Sequence, residues 1–244
     1  KIVVLPEMFC YLGGTTRGSI EIAEQEGNGP IQEFLFKQAE KHRIWIVGGT
    51  LPIRHKDKAY AASLVINPQG KVAGRYDKLH LFDAALDKGK EQYRESDYTH
   101  HGNHICVVDT DYGRLGVCVC YDLRFPELFR VFFQENVDFI AIPSAFAYTT
   151  GVPHWEVLLR ARAIENASFI IASNQVGRHS ESRFTYGHSM LISPWGTILD
   201  MNADKSGVII AEMDLEHAKD FRKNIPIDKH QRIKVTTDLP IKAC

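Results

Sequence analysis

The chain has 244 residues, of which 44% are hydrophobic and 24% charged, a composition that excludes disordered and fibrous architectures. At roughly 150 residues per domain this length suits one or two domains, and a single α/β domain of this size can bury a large core. Lys plus Arg number 29 against 30 for Asp plus Glu, so the net charge of −1 offers no global attraction to nucleic acid or to an anionic membrane.

The longest stretch free of charged residues, Phe139 to Trp155, contains Pro143, Gly151, Pro153 and His154 and would span a membrane poorly. No basic-then-apolar leader precedes Lys1, so a secretory signal is not expected. Five cysteines (Cys10, Cys106, Cys118, Cys120, Cys244) are an odd count without disulfide-framework spacing, which points to a reducing, cytoplasmic setting.

In chain order, Ile2–Leu5 reads as a buried strand. Glu26-Gly27-Asn28-Gly29 is a turn, and Pro30 opens a helix to about Lys41 with Ile31, Phe34, Leu35 and Ala39 on one stripe. Ile44–Thr50 is a strand, and Ala59–Ile66 with Lys71–Tyr76 forms a hairpin around Asn67-Pro68-Gln69-Gly70. Residues 82–103, including Lys88, Lys90 and Glu91, are polar and unpatterned and read as a long loop, either functional or disordered. Strands follow at 104–110 and 114–120, then a helix from Pro126 to about Glu135 with Leu128, Phe129, Phe132 and Phe133 inward. A strand at 138–143, a helix at 153–167 and a strand at 168–174 come next. The β-rich end turns at Pro194-Trp195-Gly196, and a short helix lies near 215–223. With no repeat and no linker-like stretch, the alternation predicts one layered α/β domain over residues 1–244.

Three strand ends carry reactive side chains. In Gly116-Val-Cys-Val-Cys120-Tyr-Asp-Leu-Arg-Phe-Pro-Glu127 a buried strand runs into a helix, and Cys120 at the junction lies near unpaired backbone N–H groups that lower a thiol pKa and hold an oxyanion. A cysteine ending a buried strand is, on this segment alone, equally a small hydrophobe. Glu7, in Val3-Val-Leu-Pro-Glu7-Met-Phe9, sits among apolar neighbours and is expected to hold its proton more tightly, as suits a general base. Lys78, in Gly74-Arg-Tyr-Asp-Lys78-Leu-His-Leu-Phe82, ends a strand in the same way. Each of these charges, taken singly, also fits a strand end reaching solvent.

Taken together, the three motifs, their order and their spacing resemble the nitrilase superfamily of carbon–nitrogen hydrolases and its Glu-Lys-Cys triad. Glu95 in Tyr93-Arg-Glu-Ser96 matches the family's second glutamate. The segments Ile142–Phe146, Thr150–Glu165, Tyr186–Met190 and Pro194–Gly196 extend the likeness to nearly the whole chain, on the Nit branch. The resemblance implies an α-β-β-α four-layer sandwich. Members usually carry a strand and a helix ahead of the glutamate motif, whereas only six residues precede Glu7 here, so the sandwich is expected to lack those two elements.

The resemblance further implies a thiol amidase without a cofactor. Glu7 takes the Cys120 proton as sulfur attacks an amide carbonyl, Lys78 and the Tyr121 backbone N–H hold the oxyanion, and Glu95 orients Lys78. The substrate implied is a small 2-oxo acid amide, with deaminated glutathione leading. An ω-amidase acting on 2-oxoglutaramate or 2-oxosuccinamate, or an N-carbamoyl amidase, are the alternatives within the class. A catalytically idle partner-binding module is the alternative outside it, opposed by the intact triad. Arg124, and Arg178 or Arg183, are candidates for substrate carboxylates, although each also fits a structural ion pair. Ser144 and Phe146 are candidate pocket walls, as is Trp155 unless it belongs to the core. Cys118 and Cys120 with His100, His101, His104 and Cys106 match no tetrahedral zinc spacing, so no metal is expected. His154, His179 and His188 read as structural or pocket-lining. By the same resemblance the protein pairs as a homodimer.

Overall fold

The computed structural model describes residues 1–13, 16–89, 91–181 and 183–243; Lys90 and Cys244 lie outside these. Among the described residues, two large sheets stack face to face. In the first, Lys58–Ile66 pairs antiparallel with Trp45–Val47, Leu51–His55 and Val72–Asp77, and Ile2–Val4 lies parallel to Trp45–Val47 at the edge. In the second, Gly113–Val117, Phe139–Ser144 and Phe169–Asn174 form a parallel centre, flanked by antiparallel Ile105–Thr110 on one side and Ser189–Ile192 and Ile198–Asn202 on the other. Ile241–Ala243 completes this sheet beside Ile105–Thr110.

Period-two alternation decides what each face touches. Ile46, Leu64 and Ile66 point outward and pack on Leu35 and Ala39 of the helix Pro30–His42. Trp45, Val47 and Val65, their neighbours in sequence, point with Tyr76 into the core between the sheets. There the sheets approach so closely that a Cβ on Gly74 would sit 2.5 Å from Val108 and 3.1 Å from the Cys106 sulfur. Gly116 faces the other way, onto Phe132 of the helix Pro126–Gln134. That helix and Tyr148–Asn166 cover the second sheet with Phe129, Phe132, Trp155 and Leu159, all fully buried. The order is therefore helix, sheet, sheet, helix, the four layers expected.

Several sequence expectations are corrected. Phe34 is 53% exposed, and the buried polar residue on its helix is Gln32. Helix 30–42 has no side-chain cap at Gly29; instead the buried Glu24 carboxylate accepts the Ile31 and Gln32 backbone N–H groups and the Gln32 amide. The strand read as 44–50 stops at Val47, because Gly49 takes φ +55 with its α-carbon pressed onto the Pro6 carbonyl, and Leu51–His55 begins a new strand. Tyr148–Asn166 starts five residues ahead of Pro153, which is tolerated inside the early turns at the loss of one backbone bond. Residues 82–103 are not an open loop: Asp83–Leu86 and Glu91–Arg94 pair as a hairpin. A second unforeseen hairpin pairs Val176–Arg178 with Phe184–Tyr186. Phe133 is only half-buried, and Val131 takes the fourth inward place.

The Glu24 arrangement places an anion at a helix N-terminus and satisfies a buried amide at once. Glu24→Ala is expected to lower stability by about 2 kcal/mol, the sum of a lost cap and an orphaned buried donor, as read by urea unfolding.

Candidate active site

The strands Ile2–Val4, Val72–Asp77 and Gly113–Val117 deliver Glu7, Lys78 and Cys120 to one end of the sandwich. Lys78 Nζ lies 2.7 Å from Glu7 Oε1 and 2.8 Å and 3.1 Å from the two Glu95 carboxyl oxygens, with its side chain only 2% exposed. The second Glu7 oxygen accepts the Ala145 backbone N–H at 2.8 Å, and the Gln175 amide donates to the Glu7 main-chain carbonyl at 3.1 Å. Glu95 in turn accepts the Phe82 N–H at 2.6 Å. A cavity of about 50 Å³ beside Glu7 and Glu95, walled by Met8, Tyr60 and Tyr98, has room for a few water molecules.

Burial works against the Lys78 ammonium, but Glu7, Glu95 and the Cys120 sulfur outweigh it and raise its pKa well above the ordinary value. Burial likewise pushes Glu7 up. Here the charge and hydrogen bond of Lys78, aided by hydrogen bonding with Cys120 and by Arg183, prevail and hold its carboxyl below the usual range. The expectation of a tightly held proton on Glu7 is thus reversed, because its partner is an ammonium rather than an apolar wall. Glu95, with burial dominant and the Glu7 charge nearby, is raised instead. One cation serves two carboxylates, and their affinities for a proton are moved in opposite directions, Glu7 down and Glu95 up.

The sulfur is also shifted against expectation. Burial first, then the Glu7 charge, push the Cys120 thiol well above its ordinary pKa, and the Lys78 charge and the Ala145 N–H only partly offset this. The pair rests as thiol and carboxylate. The regular strand ends at Val117 and Cys120 opens the 3₁₀ turn Cys120–Arg124 with φ +47, a left-handed conformation costing about 1–2 kcal/mol for a side chain with a Cβ. Cys118, two residues earlier, is fully buried, with its sulfur 3.9 Å from the Ala141 carbonyl.

Around this centre, Tyr121 follows Cys120 in the first turn, where N–H groups lack helical acceptors, and its ring packs on Phe82 and Phe125. Arg124 lies over the Phe146 ring at 5.2 Å and beside His154, and Arg183 lies over the Tyr93 ring at 5.8 Å and against the Met8 sulfur. Among the described residues, no carboxylate is within ion-pair distance of Arg124, Arg178 or Arg183. Arg178 is exposed on its hairpin, stacked over Phe184 with Nε donating to the Ser180 carbonyl. Ser144 is fully buried and donates to the Ile142 carbonyl, while Phe146 packs on Trp155, a core residue whose indole donates to the His188 carbonyl. His179 bonds Thr185, and the His188 ring stacks on Tyr186. Sequence reasoning passed over Asp122 and Arg162. Asp122 is completely buried one turn from the thiol, and Arg162 donates twice to the Leu123 carbonyl. The signal for Asp122 was an acid inside an otherwise apolar elbow; Arg162 had none.

The profile of the carbon-nitrogen hydrolase family matches residues 1–223. The chain is 41% identical to the deaminated glutathione amidase of Yersinia enterocolitica over 213 residues, covering 86% of this chain and 74% of that protein. It is 37% identical to the nitrilase and fragile histidine triad fusion protein NitFhit of Caenorhabditis elegans, covering 97% of this chain and 54% of that one. The crystal structure of NitFhit superposes with a TM-score of 0.88 at 36% identity, over 95% of this chain and 57% of NitFhit. That of Saccharomyces cerevisiae Nit3, a member of branch 10 of the nitrilase superfamily, does so with 0.85 at 33% identity, over 96% and 83%. This chain belongs to the carbon–nitrogen hydrolase family, on the Nit side of the nitrilase superfamily. It is a hydrolase of carbon–nitrogen bonds other than peptide bonds. Among the described residues no helix is long and apolar enough to cross a membrane, and no three His, Cys, Asp or Glu side chains group as metal ligands do.

Because burial keeps Cys120 protonated, its labelling by iodoacetamide is expected to keep rising past pH 9 rather than level off below it, measured as rate against pH by peptide mass.

Proposed function

We propose that the protein is a thiol amidase with Cys120 as nucleophile, Glu7 as general base and Lys78 as the electrostatic anchor of the oxyanion. The observation that carries this reading is the buried Lys78 ammonium gripped by Glu7 and Glu95 beside a neutral thiol. As sulfur forms its bond to the amide carbon, the thiol proton passes to Glu7. The carbonyl electron pair collects on oxygen, facing the Lys78 ammonium and the Tyr121 N–H. A lost donor of this kind raises the barrier by roughly 3–4 kcal/mol. Glu7 returns the proton to the departing amine as the carbon–nitrogen bond breaks, leaving a thioester. Water, deprotonated by Glu7, then releases the acid and restores the thiol. Glu95 holds Lys78 in place. Every proton and electron pair moves among side chains, substrate and water, so the cycle calls for no cofactor or metal.

For the substrate, deaminated glutathione is the leading candidate. It is the substrate in the names of relatives from Yersinia enterocolitica and Homo sapiens, the latter 35% identical over 95% of this chain. Arg124 and Arg183, free of carboxylate partners among the described residues, suit the carboxylates of such a molecule through two-pronged bonding; Arg178, Ser144 and Phe146 would serve as outer and pocket-wall contacts. An ω-amidase preferring 2-oxoglutaramate uses the same centre. We read residues 1–244 as one hydrolase domain, since Ile241–Ala243 joins the sheet that carries Cys120. Its thiols suit the reducing cytoplasm.

Cys120→Ala is expected to abolish amine release from deaminated glutathione with the fold retained, and Lys78→Ala to leave less than a tenth of wild-type turnover. Faster turnover of 2-oxoglutaramate by the wild type reassigns the substrate, and amine from neither, with no labelling of Cys120, leaves a binding module.

We also propose a homodimer. Val152 and Val157 on the helix Tyr148–Asn166, and Trp195, are 57%, 67% and 63% exposed, large apolar side chains that a second copy would cover. Light scattering is expected to report a dimer, and Val157→Glu a shift to monomer.

A further inference from the structure

Asp122 accepts four hydrogen bonds while wholly buried. Oδ2 receives the Tyr76 hydroxyl at 2.6 Å and the Val119 backbone N–H at 2.8 Å. Oδ1 receives the His80 backbone N–H at 3.1 Å and faces His80 Nδ1 at 2.7 Å. These donors come from two segments only. Tyr76 and His80 bracket Lys78 in sequence, and Val119 immediately precedes Cys120. The Asp122 N–H also returns to the Val119 carbonyl at 3.0 Å, so a closed ring of two hydrogen bonds encircles the left-handed Cys120. The Tyr76 hydroxyl extends the link by accepting the Leu79 N–H at 3.3 Å, and the His80 ring stacks on Phe125 at the far end of the same turn.

We propose that Asp122 is a positioning residue that staples the thiol elbow to the segment carrying the ammonium. It thereby fixes the strained backbone of Cys120 and the relative placement of the sulfur and Lys78. The inference rests on the roles given to Cys120 and Lys78 above. It deepens them by locating the element that sets their separation. The two are carried by different sheets, Val72–Asp77 in one and Gly113–Val117 in the other, so no strand pairing sets their separation. A carboxylate is the group the position requires. Each of its oxygens faces a backbone N–H, Val119 on one and His80 on the other, so an amide of identical shape must turn its NH₂ onto one of them whichever way it is oriented.

The test compares Asp122→Asn and Tyr76→Phe with wild type in two assays. The first is amide turnover. The second is iodoacetamide labelling at pH 8, read separately for Cys120 and for Cys118, whose complete burial makes it a reporter of unfolding. Released from its ring, Cys120 loses some burial, so Asp122→Asn is expected to label at Cys120 at least fivefold faster with Cys118 still unlabelled. The same variant is expected to lose at least thirtyfold in kcat with KM within twofold. Tyr76→Phe removes one of the four donors and is expected to move both readings the same way by severalfold, and it decides the matter if Asp122→Asn does not fold. Unchanged Cys120 labelling and kcat in folded variants, or Cys120 labelling that rises only together with Cys118, overturns the proposal. A wild type that releases no amine from any amide sinks the amidase reading instead, and the labelling comparison still decides this one.

Discussion

Everything at the working end of this molecule follows from one ammonium group taken out of water. A lone lysine at 2% exposure would discard its proton, since the cost of burying an unpaired charge runs to several kcal/mol. Two carboxylates prevent that, and the three-way contact then dictates the rest. The strand ends bearing Glu7 and Lys78 must converge, and the hairpin 83–94 must fold back so that Glu95 reaches the ammonium and the Phe82 N–H together. Such a cluster is a poor source of net stability; removing one partner strands the others. Its value lies in fixing a cation beside a sulfur without neutralising either the cation or Glu7.

The division of charge within the cluster is the chemically useful part. Glu7 and Glu95 touch the same cation, yet Glu7 is pulled below the normal carboxylate range and Glu95 pushed above it. Glu7 gains from its hydrogen bond with Cys120 and from the field of Arg183, neither of which acts on Glu95 in the same way. The thiol is held neutral by burial next to the Glu7 anion, so sulfur and carboxylate stand side by side as thiol and anion.

Much of this was legible in the sequence because strand-end positions leave a clear trace: an apolar run, then one charged or sulfur-bearing residue. Glu7, Lys78 and Cys120 all carry it, and the βαβ rhythm from 113 to 174 located the parallel centre of the second sheet, although the strand read as 114–120 ends at Val117. The directions of the pKa shifts were not legible, because they depend on partners 71 and 17 positions away, Glu7 and Glu95, that meet only in the fold. The two unforeseen hairpins escaped because their strands are only three or four residues long and face solvent on alternate positions, so polarity there resembled a loop. Phe34 shows the converse failure: helical spacing put it on the apolar stripe, but the helix is rotated by the Glu24–Gln32 contact, which periodicity does not register.

The absent side chain at Gly74 sets a length. This residue lies four positions before Lys78 on one sheet and presses against Val108 and Cys106 of the other, the strand paired with the one that leads to Cys120. A methyl group there would wedge the layers apart, and the displacement would pass straight along both strands to their ends. The gauge between cation and sulfur is therefore cut by a hydrogen atom deep in the interior, where no substrate reaches and where a survey of the reaction centre would never look.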